Sequence, residues 1–183
     1  MTANFNSTFF FPAEGLDYML NVLPRGTQAA PTTTYLGLTA TPWSTISGWV
    51  SGGDLPIYLN NGDSGYDVLE VSDLDGYARI PLAASGWQAI TSTVITINGE
   101  SNIPVEQTTY SGALTWTNTG PDTASDINGI FVATFNGAGN PSGPGGDGAV
   151  LWYAPFSDLS TVTLASGDSL TVTPTWQSAS YPY

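Results

Sequence analysis

Arg79 is one of only two cationic side chains in this 183-residue chain, and it lies in an acidic stretch, residues 73–82. Within that stretch an Asp75-Gly76 turn leads into alternating residues, which place Arg79 on the same face as Tyr77. A guanidinium group pairs best with a carboxylate, through two parallel hydrogen bonds. The pattern therefore predicts a structural ion pair at Arg79, and a ligand-binding arginine is the alternative.

Four aspartates near Arg79 in the sequence could bind Ca²⁺ through their carboxylate oxygens. These residues are Asp63, Asp67, Asp73 and Asp75. The Asp-x-Asp-Gly run lacks the remaining spacing of an EF-hand loop, so we interpret these residues as turn carboxylates and predict no metal site. Carboxylate pairs can also hydrolyse glycosides, and the candidates include Glu100, Glu106, Asp122 and Asp126. Because any acidic protein contains such pairs, we predict no catalytic residue.

The composition excludes several classes of function. The chain has no His, Cys or Lys, and its net charge is −13. These absences remove the usual nucleophile–base pairs, Schiff-base chemistry and structural zinc, and no phosphate-binding or dinucleotide-binding motif is present. Strong acidity disfavours nucleic acid and anionic membranes, and no apolar run reaches the roughly 20 residues of a membrane span. We expect a protein that is not an enzyme and that binds no cofactor.

The spacing of apolar residues predicts one helix, from Ala13 to Leu23. Its leucines recur every three or four residues and form one apolar face, which we expect to cover one end of a sheet. Pro24 and Gly26 then stop the helix. The segment from Pro42 to Tyr66 is rich in glycine and proline, and we expect it to be irregular.

The rest of the chain predicts about eight or nine short strands separated by Gly, Asn and Asp turns. Asn98-Gly99 is a hairpin signal, residues 129–135 are the most β-rich run, and Pro174 places the last strand at an edge. Hydrophobic residues make up 41% of the chain, which is enough for a packed core. The predicted fold class is all-β, an antiparallel β-sandwich or jelly roll with one short N-terminal helix, in a single domain over residues 13–183.

Two aromatic segments are candidate contacts with a partner. Residues 1–12 form a predicted N-terminal arm, and residues 43–49 belong to the segment predicted to be irregular. Tryptophan is enriched at protein interfaces, although phenylalanines of this kind also join a protein's own core, and tryptophans also stack on sugars. The predicted partner-contact residues are Phe5, Phe9, Phe10, Phe11, Trp43 and Trp49.

The order of several motifs resembles a group of small virion proteins of tailed bacteriophages, labelled tail fibre-like or head-decoration proteins. The resemblance covers most of residues 13–176 and depends on the order of the motifs. They are the helix Glu14–Leu20, Tyr35-Leu36-Gly37-Leu38, Gly76-Tyr77-Ala78-Arg79, Trp87, Ile130-Phe131-Val132 after Asn128-Gly129, Val150-Leu151-Trp152-Tyr153, and the terminal stretch Thr161–Val172. The Pro42–Tyr66 insertion and the phenylalanine arm depart from the family pattern.

The resemblance implies a β-sandwich that assembles on a virus particle, often as a trimer, with no catalytic residues to carry over. Our preferred hypothesis is a capsid decoration, or cement, protein on the outer surface of the phage head, where a homotrimer contacts the major capsid protein. The alternative is a tail fibre or baseplate protein that binds a host glycan. A small glycan-active enzyme is a third hypothesis.

Overall fold

The computed structural model describes residues 11–52, 58–62, 66–97, 100–143, 145–156 and 161–179. The two α-helices in these residues are α1 (Ala13–Val22) and α2 (Trp43–Gly52), and a short 3₁₀ turn spans Ala84–Gly86. Thirteen strands, β1 to β13 in chain order, are Thr33–Thr39, Tyr58–Leu59, Asp67–Val68, Ile80–Ala83, Thr91–Ile97, Glu100–Thr109, Leu114–Thr117, Ala124–Ile127, Gly129–Ala133, Val150–Pro155, Val162–Leu164, Ser169–Val172 and Thr175–Ala179. The protein is mostly β with antiparallel sheets, as predicted.

A four-stranded antiparallel sheet, in the order β10-β9-β1-β4, lies at the centre of the fold. All five residues of β9 are buried, which confirms the prediction of a central strand there. In β1, Leu36 is opposite Val132 of β9 on one side and Ile80 of β4 on the other. Because apolar residues occupy both faces of β9, this sheet must be covered on both sides.

One face of the central sheet packs against two smaller antiparallel pairs, β7 with β12 and β8 with β11. Leu170 and Val172 of β12 alternate inward, as predicted, and are fully buried. Residues from both layers form one core cluster, which makes this part of the fold sandwich-like. The cluster includes Leu36, Leu38, Ile130, Val132 and Trp152 of the central sheet and Trp116, Ile127, Val162, Leu164 and Leu170 of the facing pairs.

The other face of the central sheet packs against α2 and against β2 and β3, which pair in parallel. The prediction that residues 42–66 are irregular was wrong for this helix. Trp43, Ile46 and Trp49 recur every three residues, and Ile46 is 2% exposed against the sheet. This burial compensates for the weak helix propensity of the Ser, Thr and Gly residues between them.

Helix α1 is present nearly where the sequence predicts it, but its leucines do not face the sheet. Leu16, Leu20 and Leu23 are 45%, 57% and 77% exposed. The helix instead buries Gly15, where a Cβ would lie 2.3 Å from the carbonyl oxygen of Leu151 in β10. The close approach of the two backbones sets the rotation of the helix and turns the leucine face outward. Within the described residues, neither helix is long and apolar enough to cross a membrane.

A three-stranded sheet, in the order β13-β6-β5, completes the described strands. Strands β5 and β6 pair antiparallel, as the hairpin signal predicts, although residues 98–99 themselves lie outside the described residues. Strand β13 follows Pro174 and forms the edge of this sheet, also as predicted. Phe11, at the end of the predicted arm, packs against Trp176 of β13 with ring centroids 5.9 Å apart; Phe5, Phe9 and Phe10 lie outside the described residues.

We predict that Gly37→Ala destabilises the protein by about 1–3 kcal/mol, the usual effect of overpacking a core. A Cβ at this position in β1 would lie 2.2 Å from the ring of Phe131 and 2.8 Å from the hydroxyl of Tyr77. Chemical denaturation measures the change in free energy of unfolding.

The matched control is Gly48→Ala in α2, where a Cβ would meet no atom within 4 Å. This substitution should stabilise the protein slightly, by about 0.5–1 kcal/mol, because alanine favours a helix interior. Equal effects of the two substitutions would contradict the role assigned to Gly37.

Candidate functional site

Arg79 forms a buried ion pair with Glu70, which is the structural pairing the sequence predicts for this arginine. Its Nη2 lies 2.7 Å from Oε2 of Glu70, and its Nε lies 2.8 Å from Oε1. The two side chains are 0% and 2% exposed. Two parallel hydrogen bonds give the pair a fixed geometry as well as charge neutrality.

Glu70 forms further hydrogen bonds with groups other than Arg79. The hydroxyl of Tyr77 donates to Oε1 of Glu70 at 2.6 Å, and the backbone N–H of Gly139 donates to Oε2 at 2.7 Å. Asn60 bonds to the same residue through its side chain. Burial, together with the adjacent carboxylate of Glu70, raises the pKa of Tyr77 well above its usual value, so this phenol stays protonated and donates.

Aromatic rings and carbonyls complete the surroundings of the guanidinium. Its central carbon lies 4.4 Å from the ring centroid of Phe135 and 5.2 Å from that of Phe131. Nη1 also donates to the carbonyl of Phe135 at 3.2 Å. Because Arg79 is 3% exposed and already has protein partners, the arrangement favours a structural role over binding of a ligand.

The strand order explains how the charges meet. Glu70 forms an isolated bridge with Thr39 at the end of β1, and Arg79 comes directly before β4, the neighbour of β1. Residues 77–79 lie outside regular strand, yet Tyr77 and Arg79 reach the same carboxylate, as the alternation predicts. Sequence alone did not identify Glu70 as the partner among 15 acidic residues.

Of the aspartates near Arg79, Asp75 lies in a turn, whereas Asp67 lies in strand β3, so the interpretation of these residues as turn carboxylates was wrong for Asp67. Asp73 accepts a hydrogen bond from the backbone N–H of Ser125 at 2.7 Å, and Asp75 lies beside Gly120. Glu106, one of the acids considered for catalysis, accepts from Ser92 at 2.7 Å. The described parts of the chain contain no group of three or more acidic side chains that could hold a metal ion; Asp63 lies outside them.

The two predicted contact tryptophans both lie on α2. Trp43 and Trp49 are half-buried against the cluster that covers the second face of the central sheet. Trp49 also meets the ring of Tyr66 edge-on at 5.9 Å. Much of each indole therefore stabilises the protein's own fold, and only the remaining part of its surface is available to a partner.

A second polar cluster, which the sequence analysis missed, is centred on Glu14 at the start of α1. Its Oε1 accepts hydrogen bonds from the hydroxyl of Ser142 at 2.7 Å and from the backbone N–H of Val150 at 3.0 Å. Its Oε2 is buried and has no hydrogen-bond partner among the described residues. Burial raises the pKa of Glu14 from 4.5 to about 7, against the opposing effect of Ser142 and of the nearby backbone N–H groups of Val150 and Gly143.

Glu14 lines a cavity of about 500 Å³ between α1, β2 and the segment that follows β9. The sequence contained little signal for it, because its walls come from four separate parts of the chain. The spacing of Glu14 and Asp17 in a predicted helix places them on one face, but nothing local indicates what that face meets. The side chains that line the cavity are Ala13, Glu14, Asp17, Tyr18, Gln28, Tyr58, Thr134 and Ala149.

We predict that Arg79→Met lowers the free energy of unfolding by about 3–5 kcal/mol, because it leaves Glu70 buried without its counter-charge. The double variant Arg79→Met/Glu70→Met should lose less than the single one, since it removes both charges. Arg25→Met is the matched control, since this arginine is exposed and its side chain donates to Asn21 rather than to a carboxylate within the described residues. Urea denaturation compares the variants; an effect at Arg79 no larger than at Arg25 would refute the structural role.

The Glu14 carboxyl makes stability depend on pH. Folding raises its pKa from 4.5 to about 7, so the folded protein favours the protonated carboxyl. The contribution of this carboxyl to the free energy of unfolding is therefore fully present below about pH 4.5 and is lost as the pH rises through about 7. Glu14→Gln keeps an oxygen that accepts from Ser142 and Val150 but cannot ionise. We therefore predict that this variant gains stability relative to wild type between pH 5 and pH 8.5.

Thermal unfolding at a series of pH values measures this difference. Glu106→Gln is the matched control for loss of one carboxylate, because Glu106 is exposed on β6 and does not line the cavity. A constant difference between wild type and Glu14→Gln from pH 5 to pH 8.5 would contradict the raised pKa.

Comparison with known proteins finds no protein-family model that matches this chain and no curated protein of significantly similar sequence.

Proposed function

We propose that this protein is a capsid decoration, or cement, protein that binds the outer surface of a tailed-phage head as a homotrimer. Its partner is the major capsid protein, and it bridges adjacent capsid subunits. The resemblance of its ordered motifs to small phage virion proteins supports this proposal, and so does a β-sandwich fold with few charged side chains. Charged residues are only 9% of the chain, against roughly 25% in ordinary soluble domains.

The observation that carries the proposal is the leucine row, which consists of Leu16 and Leu20 on α1 and Leu23 directly after it. These side chains recur at helical spacing on one face and are all at least 45% exposed. Contiguous apolar surface on a folded protein commonly marks a contact with another protein. The leucine row follows the phenylalanine arm in the chain, and we include both among the proposed contacts.

The proposed mechanism is the burial of area repeated over the shell. Specific interfaces bury at least about 1,000 Å². Capsid subunits must separate when the shell ruptures, and each copy of a bridging protein adds contacts that oppose this separation. The chain's acidity suits a capsid surface with cationic side chains. Phe5, Phe9, Phe10, Phe11 and the exposed parts of Trp43 and Trp49 remain the other proposed contacts.

The alternative function, a tail fibre or baseplate protein that binds a host glycan, is favoured by one observation. The cavity beside Glu14 presents two tyrosines, two carboxylates and an amide, which are side chains that can stack on a sugar ring and bond to its hydroxyl groups. Immunogold electron microscopy of intact phage particles separates the two functions. Label spread over the head supports decoration, label at the tail tip supports the alternative, and no label on any particle overturns both.

We predict that replacing the three leucines of the leucine row by serine greatly reduces binding to heads that lack this protein, by at least about tenfold, which corresponds to 1.4 kcal/mol. The melting temperature should change little, because these side chains are exposed. Cosedimentation with the heads measures binding, and sedimentation velocity measures whether the free protein is a trimer.

The matched control is Ile90→Ser/Val94→Ser. These two apolar residues are 70% and 58% exposed. Val94 lies in β5, an edge strand of the sheet β13-β6-β5, and Ile90 directly precedes that strand. The control should bind as wild type does. If the leucine variant binds equally well, or if the control fails to the same extent, the leucine row is not the contact element.

A further inference from the structure

The cavity beside Glu14 has walls from several separate elements. Helix α1 provides Glu14, Asp17 and Tyr18, strand β2 provides Tyr58, and Thr134 follows β9. Its volume of about 500 Å³ lies within the range of about 300–1,000 Å³ that is typical of small-molecule sites. The cavity therefore has room for a ligand group the size of an arginine side chain.

The carboxylate of Glu14 is half-satisfied at the edge of this cavity. Ser142 and Val150 both donate to Oε1, whereas Oε2 is buried without a partner among the described residues. Ser142 is itself fully buried and accepts from the backbone N–H of Leu59 at 2.8 Å, so the carboxylate is fixed in position. A buried acceptor without a donor is costly, and a donor on a ligand would relieve that cost.

The Glu14 carboxylate is paired with neither arginine of this protein. The chain's only side-chain cations are Arg25 and Arg79. Arg79 is buried against Glu70, and Arg25 donates to Asn21, whose side-chain amide in turn donates to Asp17 at 3.2 Å. A cation that pairs with Glu14 must therefore come from elsewhere.

The two tyrosines add a second feature that suits an organic cation. The hydroxyl of Tyr18 donates to the carbonyl of Ala29 at 3.3 Å, and the ring of Tyr58 lies so close to Gly143 that a Cβ there would be 2.3 Å away. Both rings are thereby held in the cavity wall. Aromatic rings attract ammonium and guanidinium groups, and the attraction is stronger when water is excluded.

We infer that this cavity binds a guanidinium or alkylammonium group, with Oε2 of Glu14 accepting from its N–H, Asp17 adding negative charge, and Tyr18 and Tyr58 contacting the apolar stem. A neutral group of the same shape binds more weakly, because it leaves the carboxylates uncompensated. This site does not depend on the proposed capsid role, and its failure would leave that role untouched.

Binding should become tighter as the pH rises through about 7, because the cation pairs with the ionised form of Glu14. Asp17 and Tyr18 face the site from α1 and Tyr58 faces it from β2. Tyr153 of β10 stays protonated in this range. Its burial, and then the charges of Glu14 and Asp67, raise its pKa well above the usual value. Glu14 is thus the group expected to titrate with binding.

The test is a ¹⁵N NMR titration of the full chain at pH 8 with N-acetyl-arginine amide, with spermidine, and with N-acetyl-citrulline amide as the neutral isostere of arginine. We expect saturable shifts of the Gly143 and Gly148 amides with at least one cation, and affinity at least tenfold weaker for the citrulline compound. Binding of the arginine amide alone indicates a protein-borne side chain, and binding of spermidine alone indicates a free polyamine.

Glu14→Gln keeps the hydrogen bonds to Ser142 and Val150 and should weaken binding at least tenfold, whereas the control Glu106→Gln should bind as wild type does. Asp17→Asn provides a second variant at the exposed end of the site, with a smaller loss expected. The inference is overturned if no cation shifts these amides at millimolar concentration, if the citrulline compound binds equally well, or if Glu14→Gln binds like wild type.

Discussion

The buried pair of Arg79 and Glu70 is the interaction on which the rest of the fold depends. Removing two charges from water costs several kcal/mol for each ion, even in a relaxed protein interior. The cost is offset only if both groups are fully hydrogen-bonded, and here the partners come from Asn60 after β2, from Tyr77 in the segment before β4 and from the loop after β9. The pair therefore requires all of these elements to be in place at once, which makes it a device for specificity as well as for stability.

The loop after β9 connects this pair to the cavity. Its first part is held by the pair, through the carbonyl of Phe135 and the N–H of Gly139. Its later part is held by Glu14, through Ser142. One connection is thus fixed at both ends by buried charged groups, and this explains why a segment rich in glycine can form the wall of a defined cavity.

Helix α1 presents two different surfaces, and each supports a separate proposal. Glu14, Asp17 and Tyr18 line the cavity, whereas the leucine row points away from the sheet. The contact of Gly15 with β10 sets the rotation that separates these surfaces. A contact through the leucine row would therefore leave the cavity accessible, because the two surfaces lie on different sides of the helix.

The sequence by itself determined the fold class, the position of α1, the buried central strand, the β5–β6 hairpin and the need of Arg79 for a carboxylate. Each of these follows from local periodicity, from turn residues or from the scarcity of cations. Only the tertiary structure decided that Glu70 is the partner, that α2 is helical, that the leucine row faces outward and that Glu14 lines a cavity. The physical reason is that burial and close backbone contact depend on residues that are distant in the chain. Phe131 and its sheet bury Ile46 and so stabilise α2, whose own residues have weak helix propensity. Gly15 allows α1 to approach Leu151 closely, and no hydrophobic pattern in the sequence encodes this contact.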